Sequence, residues 1–189
     1  AFMCLGRAQE ALKEFKTAEA EAPVVARGDA RAWLGEMYLW RGDYVKALRL
    51  LDEAASLGGR YAYCWRGAAK IKLGRPREAL ADLDRATEIR SWDVEALIWK
   101  GEANRLIGHH AGALKDLSAA IRFSQNPWAF FNRALVLARL KNYEGMRRDF
   151  RRIPHIIVAY IKAKRGLGAR RELSVGEMRD VLESGLQLA

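Results

Sequence analysis

The chain has 189 residues, of which 50% are hydrophobic and 30% are charged, and its formal net charge is +10 at pH 7. This length is enough for one substantial domain, and no apolar run approaches the roughly 18 residues of a membrane-spanning helix. The two cysteines, Cys4 and Cys64, do not make a disulfide framework, so we expect a reducing, cytoplasmic compartment.

Residues 1–27 have the pattern of the second helix of a two-helix unit that recurs further along the chain. Gly6 would lie at the turn of this unit, Ala11 and Phe15 within the helix, and Pro23 at its close. A stack of such units rarely begins with a second helix alone, because the face that its partner covers would be exposed. We therefore expect the chain to be a piece of a longer protein with at least one more unit upstream.

The clearest copy of the unit begins at Gly28 and consists of an apolar helix pattern, a Gly-Asp turn and a second apolar helix pattern. Its landmarks recur at spacings of 32, 34 and 33 residues: Gly35, Gly67, Gly101 and Ala134 in the first helix, Gly42, Gly74, Gly108 and Lys141 at the turn, and Ala47, Ala79, Ala113 and Met146 in the second helix. A period near 34 residues with two helices per period is typical of a helical solenoid. We predict four repeats, at 28–59, 60–93, 94–126 and 127–153. Leu51, Leu83 and Leu117 would fill the space between the hairpins.

The unit resembles the tetratricopeptide repeat, in which Leu-Gly and an aromatic residue mark the first helix, and a turn glycine and two alanines follow. The first copy matches this pattern at Leu34, Gly35 and Tyr38, and departs from it at Arg31 and at Gly59, where the family has proline. The resemblance implies an all-α fold, a right-handed superhelical solenoid of antiparallel helix pairs.

After residue 153 the period is lost, and we predict that residues 154–189 form non-repeating helices that cap the end of the stack. One helix would begin at Pro154 and end at Gly166. Ser174 stands three residues before Glu177, the spacing of a capping box, and would begin a second helix that runs towards Leu188. The chain is thus expected to be a single solenoid domain.

The resemblance also implies that the first helix of each repeat lines a concave groove. Trp33, Trp65 and Trp99 stand two residues before the landmark glycine instead of four, which turns them by about 200° from the family's packing site. They would either grip an extended peptide or pack only against the next helix. The residues predicted to bind a partner are Trp33, Glu36, Trp40, Trp65, Lys72, Trp99, Glu102, Arg105, Trp128, Asn132 and Arg139, and Asp29 and Glu95 also face inward. Because tryptophan replaces the usual asparagine, we expect no clamp for chaperone-tail carboxylates.

Basic residues are concentrated near the end of the chain. Between positions 139 and 171 they are Arg139, Lys141, Arg147, Arg148, Arg151, Arg152, Lys162, Lys164, Arg165, Arg170 and Arg171, against Glu144 and Asp149. Such a basic patch could attract an acidic protein, an anionic membrane or nucleic acid, or could be a solvated face or the docking face of another domain. No sequence-reading module accompanies the charge, so we do not expect nucleic-acid binding.

No set of residues indicates catalysis. His109 and His110 follow a turn glycine, His155 lies at a helix start, and no cysteine or carboxylate stands at metal-ligand spacing around them. Cys64 is expected to be a buried small side chain. We predict that the chain is not an enzyme and holds no cofactor. Its function would be that of an interaction scaffold for a peptide segment or a partner helix, with a substrate-presenting arm of a larger enzyme, such as a transferase, as the alternative.

Overall fold

The computed structural model describes residues 23–153 and 174–188, together with residues 13, 14, 17, 20 and 21. The described part contains helices and no strand. The helices are α1 (Val24–Trp40), α2 (Tyr44–Ser56), α3 (Ala62–Lys72), α4 (Pro76–Ile89), α5 (Val94–Leu106), α6 (His110–Phe123), α7 (Pro127–Arg139), α8 (Tyr143–Phe150) and α9 (Val175–Leu188). None of these helices is both long and apolar enough to cross a membrane. The expected second helix within 1–27 and the helix from Pro154 to Gly166 fall on residues that lie largely or wholly outside the described ones.

The helices from α1 to α8 form four hairpins that stack in chain order. Each helix contacts the next one along the chain. The first helices of neighbouring hairpins, α1, α3, α5 and α7, also contact one another in sequence, whereas within the described part the second helices do not. The stack therefore curves with the first helices on its inner side. The predicted all-α solenoid of helix pairs is confirmed.

Side-chain caps define where several helices begin. Asp43 accepts a hydrogen bond from the Lys46 amide at 3.2 Å, and Asp93 accepts one from the Ala96 amide at 3.1 Å. These carboxylates satisfy amides that have no partner in the first turn of a helix. The first helix begins at Val24, four residues before the predicted start of the repeat, directly after Pro23.

Within a hairpin, the two helices approach each other at the landmark glycine. A Cβ atom added to Gly67 would lie 2.6 Å from the Leu83 Cγ atom, and one added to Gly101 would lie 2.5 Å from the Leu117 Cγ atom. These leucines are fully buried. We predicted that they fill the space between hairpins, whereas the structure seats each one on the glycine of its own hairpin. Any larger residue at the glycine would push the two helices apart.

A second close approach explains the glycine that replaces the family's proline in the first repeat. A Cβ atom on Gly59 would lie 2.7 Å from the backbone carbon of Gly28, and one on Gly28 would lie 2.8 Å from the backbone nitrogen of Gly59. The segment that leaves the first hairpin thus crosses the backbone of α1. A proline ring at position 59 would not fit there.

Buried ion pairs join the two helices of three hairpins, and the sequence patterns did not predict them. The Arg133 guanidinium donates to both carboxylate oxygens of Asp149 at 2.7 Å, and the Asp149 side chain is 3% exposed. At the equivalent positions Arg66 donates to Asp82 at 3.1 Å. In the third hairpin the contact is looser, with 3.9 Å between the Lys100 ammonium nitrogen and a carboxylate oxygen of Asp116.

The first hairpin has leucines at these positions. Counting back one period from Arg66 and Asp82 leads to Leu34 and Leu50. Leu34 is buried, and Leu50 packs against the core at its edge. The same two positions thus hold oppositely charged residues in three hairpins and two leucines in the first. The repeat of a basic residue directly before the landmark glycine was the signal that could have revealed the ion pairs.

The last hairpin is covered by α9. Val181 and Leu182 are buried in one cluster with Phe130, Phe131 and Phe150 of α7 and α8. The predicted capping box at the start of α9 is present: the Ser174 amide donates to the Glu177 carboxylate at 2.9 Å, and the Glu177 amide donates to the Ser174 hydroxyl at 3.2 Å.

The ion pair of the fourth hairpin provides a test of what holds a hairpin together. We expect Arg133→Leu to lower the free energy of unfolding by about 3–5 kcal/mol, because it leaves the buried Asp149 carboxylate without its partner. The double substitution Arg133→Leu with Asp149→Leu, which copies the first hairpin, should recover most of that loss. Urea unfolding of the three proteins measures both effects. A double variant less stable than Arg133→Leu alone would contradict the account.

The turn of the fourth hairpin provides a second test. Lys141 has a φ of 58°, and Gly74 at the equivalent turn of the second hairpin has a φ of 75°. A Cβ atom added to Gly74 would meet no atom within 4 Å. A left-handed backbone costs a residue with a side chain about 1–2 kcal/mol, so Lys141→Gly should raise the free energy of unfolding by about 1 kcal/mol or less. The reciprocal change Gly74→Lys should lower it by about 1 kcal/mol. Chemical denaturation of both variants measures these changes in the free energy of unfolding. Changes of the same sign in the two variants would refute this interpretation.

Candidate functional site

The inner side of the stack contains a cavity of about 440 Å³ between the first helices. Six of the residues predicted to bind a partner line this groove cavity, namely Trp40, Lys72, Trp99, Glu102, Trp128 and Asn132. They come from α1, α3, α5 and α7, so the cavity exists only because four hairpins are stacked. The sequence analysis missed Arg41 and Tyr44, which also line it, because they belong to a turn and to a second helix.

The other predicted partner-binding residues do not line the groove cavity. They are Trp33, Glu36, Trp65, Arg105 and Arg139. The Trp65 side chain is buried, and its ring meets the Trp40 ring edge to face with 5.9 Å between centroids. Trp33 is 44% exposed. Trp65 therefore packs within the stack, as one of the two alternatives for the tryptophans expected, whereas Trp33 is exposed to solvent.

The tryptophans of the groove cavity differ in exposure. Trp40 is 50% exposed and Trp128 is 42% exposed, whereas Trp99 is 8% exposed. The Trp128 ring meets Phe131 edge to face with 5.7 Å between centroids, and the Trp40 indole N–H donates to the Glu36 carboxylate at 3.2 Å. These contacts fix the orientations of the exposed rings. The cavity is thus lined by the exposed rings of Trp40 and Trp128, whose orientations are fixed, and by the buried indole of Trp99.

Two buried polar atoms in the lining of the groove cavity have no hydrogen-bond partner among the described residues. They are the Trp99 Nε1 donor and the Asn132 Oδ1 acceptor. The amide group of Asn132 is oriented by its own nitrogen, which donates to the Trp128 carbonyl at 3.2 Å. Buried polar groups are nearly always paired in folded proteins. A donor and an acceptor left over just beneath the lining of one cavity match the two groups of a peptide bond.

Charged groups in and beside the groove cavity fall into two sets. In the first set, burial raises the pKa of the Glu102 carboxyl, while Lys72 and Arg105 act in the opposite direction. Burial lowers the pKa of the Arg105 guanidinium, against the influence of Glu102. The Lys72 ammonium lies 5.5 Å from the centroid of the Trp99 ring. Within this set, opposite charges compensate one another.

The second set consists of the carboxylates Glu36 and Glu95. Burial raises the pKa of Glu36 and that of Glu95, and the charge of Glu95 raises the pKa of Glu36 further. Glu36 accepts from the Trp40 indole, and Glu95 accepts from the Asn126 amide nitrogen at 3.4 Å. Neither carboxylate has an ion pair with a basic residue in the described part of the chain. Among the described residues, no cation therefore neutralises the negative charge on this side of the groove.

The remaining candidate residues give no site of their own. Burial raises the pKa of the Cys64 thiol well above its usual value, which keeps it protonated and unreactive. His109 contacts the Asn104 side chain at 3.2 Å. Among the described residues, no group of three or more histidine, cysteine or acidic side chains is arranged to hold a metal ion.

The basic patch lies away from the groove cavity, on and after α8. Arg147, Arg148, Arg151 and Arg152 are exposed, and Arg148 pairs with Glu144 at 3.2 Å. The other predicted members of the patch, Lys162, Lys164 and Arg165, are not among the described residues. Its four described arginines are therefore accessible to solvent.

The raised pKa of Glu102 leads to a prediction about stability and pH. Burial disfavours the ionised carboxyl in the folded state, so at neutral pH this group lowers the free energy of unfolding, and protonation removes that effect. We therefore expect Glu102→Gln to raise the melting temperature at pH 7. The difference should disappear below about pH 4, where the wild-type carboxyl is protonated both folded and unfolded. Thermal unfolding at several pH values measures it, with Glu144→Gln on the exposed face of α8 as control. A destabilised Glu102→Gln protein at pH 7 would contradict this account.

Comparison with known proteins agrees with the architecture. Residues 61–91 match the family described as Tetratricopeptide repeat. YrrB, described as a TPR protein with an unusual peptide-binding site, shares 23% identity at a TM-score of 0.58, over 78% of this chain and 77% of that chain. TTC0263, a thermophilic TPR protein of Thermus thermophilus, shares 20% identity at a TM-score of 0.68, over 97% of this chain and 92% of that chain.

A longer protein has the same fold over part of its length. A chain of the APC/C hetero-tetramer Cut9-Hcn1 shares 16% identity at a TM-score of 0.74, over 98% of this chain and 38% of that chain. At these identities the similarity shows the fold. Together with the match at 61–91, it confirms the resemblance drawn from the repeat landmarks: this chain contains a tetratricopeptide repeat and has the fold of the tetratricopeptide repeat solenoids.

Proposed function

We propose that this chain is an interaction module whose groove cavity binds a peptide segment of another protein. The observation that carries the proposal is the pair of unsatisfied buried atoms, Trp99 Nε1 and Asn132 Oδ1, in a cavity walled by the exposed rings of Trp40 and Trp128. A peptide bond supplies the acceptor and the donor that these two atoms lack. Large, held aromatic side chains supply contact area at little cost in conformational entropy.

The size of the cavity favours an extended segment over a partner helix. A volume of about 440 Å³ lies in the range of small-molecule sites and holds a few side chains. A helix with its side chains is about 10 Å across and needs a longer, shallower groove. An extended segment can insert one or two side chains and place its backbone against the cavity wall. YrrB, which is similar in fold, is described as having a peptide-binding site.

The proposal can be tested without knowing the natural partner. The probe is a displayed library of random twelve-residue peptides selected on the full chain, followed by titration of the enriched peptides. We expect Trp40→Ala and Trp128→Ala each to weaken binding by about thirtyfold, because each removes an exposed wall of the cavity. These variants are preferred to changes at Trp65 or Trp99, which are buried and whose loss would disturb the fold.

The matched control for these variants is Trp92→Ala, since Trp92 is 63% exposed in a connection and does not line the groove cavity. It should leave the affinity unchanged. Equal binding by the wild type and both cavity variants would place the site elsewhere, and loss on Arg147→Ala with Arg148→Ala would direct attention to the basic patch. A library with no enriched peptide would also count against the proposal.

A further inference from the structure

The groove cavity is asymmetric in charge, and this asymmetry restricts what the peptide can be. Three carboxylates, Glu36, Glu95 and Glu102, lie in or beside it on the inner side of the stack. Two basic residues neutralise the surroundings of Glu102, namely Lys72, whose ammonium lies over the Trp99 ring, and Arg105 at 4.0 Å from the carboxylate. Glu36 and Glu95 have no such compensation among the described residues.

Arg41 is the other basic residue in the lining of the groove cavity, and it contacts an aromatic ring. The Arg41 guanidinium lies 6.0 Å from the centroid of the Tyr38 ring. Arg90, in the connection before α5, donates to Asp93 at 2.7 Å. Neither is paired with Glu36 or Glu95. No cation among the described residues therefore pairs with either of these two carboxylates.

The position of Glu36 and Glu95 joins them to the atoms that favour peptide binding. Glu95 lines the same cavity as Trp99 and Asn132, whose buried polar atoms lack partners. Glu36 holds the Trp40 ring, which forms a wall of that cavity. A cationic side chain placed here would meet carboxylates and indole faces together, and both attract a cation.

We propose that the groove cavity selects peptides with one positively charged residue, arginine or lysine, whose side chain lies between Glu36 and Glu95 against the Trp40 ring. The peptide backbone next to that residue would accept a hydrogen bond from Trp99 Nε1 and donate one to Asn132 Oδ1. Both atoms are covered in the free protein, so the side chains that line the cavity shift slightly when the peptide enters. This inference rests on the proposed function and names the class of its ligand.

The partial desolvation of these carboxylates supports the proposal. Burial raises the pKa of both groups, so their ionised forms are held at an energetic disadvantage in the free protein. A bound cation would remove that disadvantage. The net charge of +10 disfavours peptides with many positive charges, because it repels them at long range. A single cation among neutral or acidic residues is the expected motif.

The test repeats the peptide selection on two further proteins, the double variant Glu36→Gln with Glu95→Gln and the control Glu88→Gln. Glu88 is exposed on α4, so its variant makes a charge change outside the groove. On the wild type and the control, enriched peptides should share an arginine or lysine at one fixed position. On the double variant, that preference should vanish while the apolar positions of the motif remain.

Titration and stability give the second readout. Replacing the fixed arginine by citrulline, or Glu95 by glutamine, should each weaken binding about tenfold, and the two changes together should cost little more than one. Without peptide, the double variant should be at least as stable as the wild type, which a purely structural role of the two carboxylates would not produce.

The outcomes separate the two proposals. Enriched peptides that depend on Trp40 and Trp128 but show no fixed cation would overturn the charge selection and leave peptide binding intact. Peptides that bind the Trp40→Ala and Trp128→Ala variants as tightly as the wild type would overturn the proposed function itself. A fixed acidic residue in the motif would show that Lys72 and Arg105, and not the carboxylates, determine the ligand.

Discussion

The structure depends on the close approach of two helices at a residue without a side chain. A buried leucine of the second helix occupies the space that a Cβ atom at Gly35, Gly67 or Gly101 would take. This contact determines the distance between the two helices in the first three hairpins, and its recurrence makes these hairpins alike enough to stack. Since the first helices contact one another and the second helices of the described part do not, stacking also produces curvature. The groove is therefore a consequence of the same small residues that hold each hairpin together.

In the groove, some buried polar groups lack the hydrogen-bond partners that such groups usually have in a folded protein. In several hairpins buried charges are paired, as in the contact of Arg133 with Asp149. In the lining of the groove cavity an indole donor and an amide acceptor have no partner among the described residues, and the half-buried Glu36 beside it has no ion pair with a described cation. Such features reduce stability. Their presence on the surface proposed to bind a peptide agrees with selection for binding at the expense of stability.

The sequence predicted the repeats and much of the groove because both depend on spacing. The period placed Trp40, Trp99 and Trp128 on the inner side, and all three line the groove cavity. It could not separate them from Trp65, which is buried against Trp40, because burial depends on how far neighbouring hairpins turn relative to each other. The unsatisfied atoms of Trp99 and Asn132 were beyond sequence reasoning, since they depend on what every nearby polar group already contacts. We expected the buried leucines between neighbouring hairpins, whereas each contacts the landmark glycine of its own hairpin. A spacing pattern does not tell which of two neighbouring helices a side chain contacts.

The most direct test of the central claim follows the indole N–H signals of the six tryptophans by NMR while a selected peptide is added. Single Trp→Phe substitutions assign the signals. The account predicts that the Trp99 signal shifts most, in the direction of a newly formed hydrogen bond, that those of Trp40 and Trp128 shift with it, and that the signal of Trp92 does not move. A peptide that binds tightly while the Trp99 and Trp40 signals stay in place would contradict it.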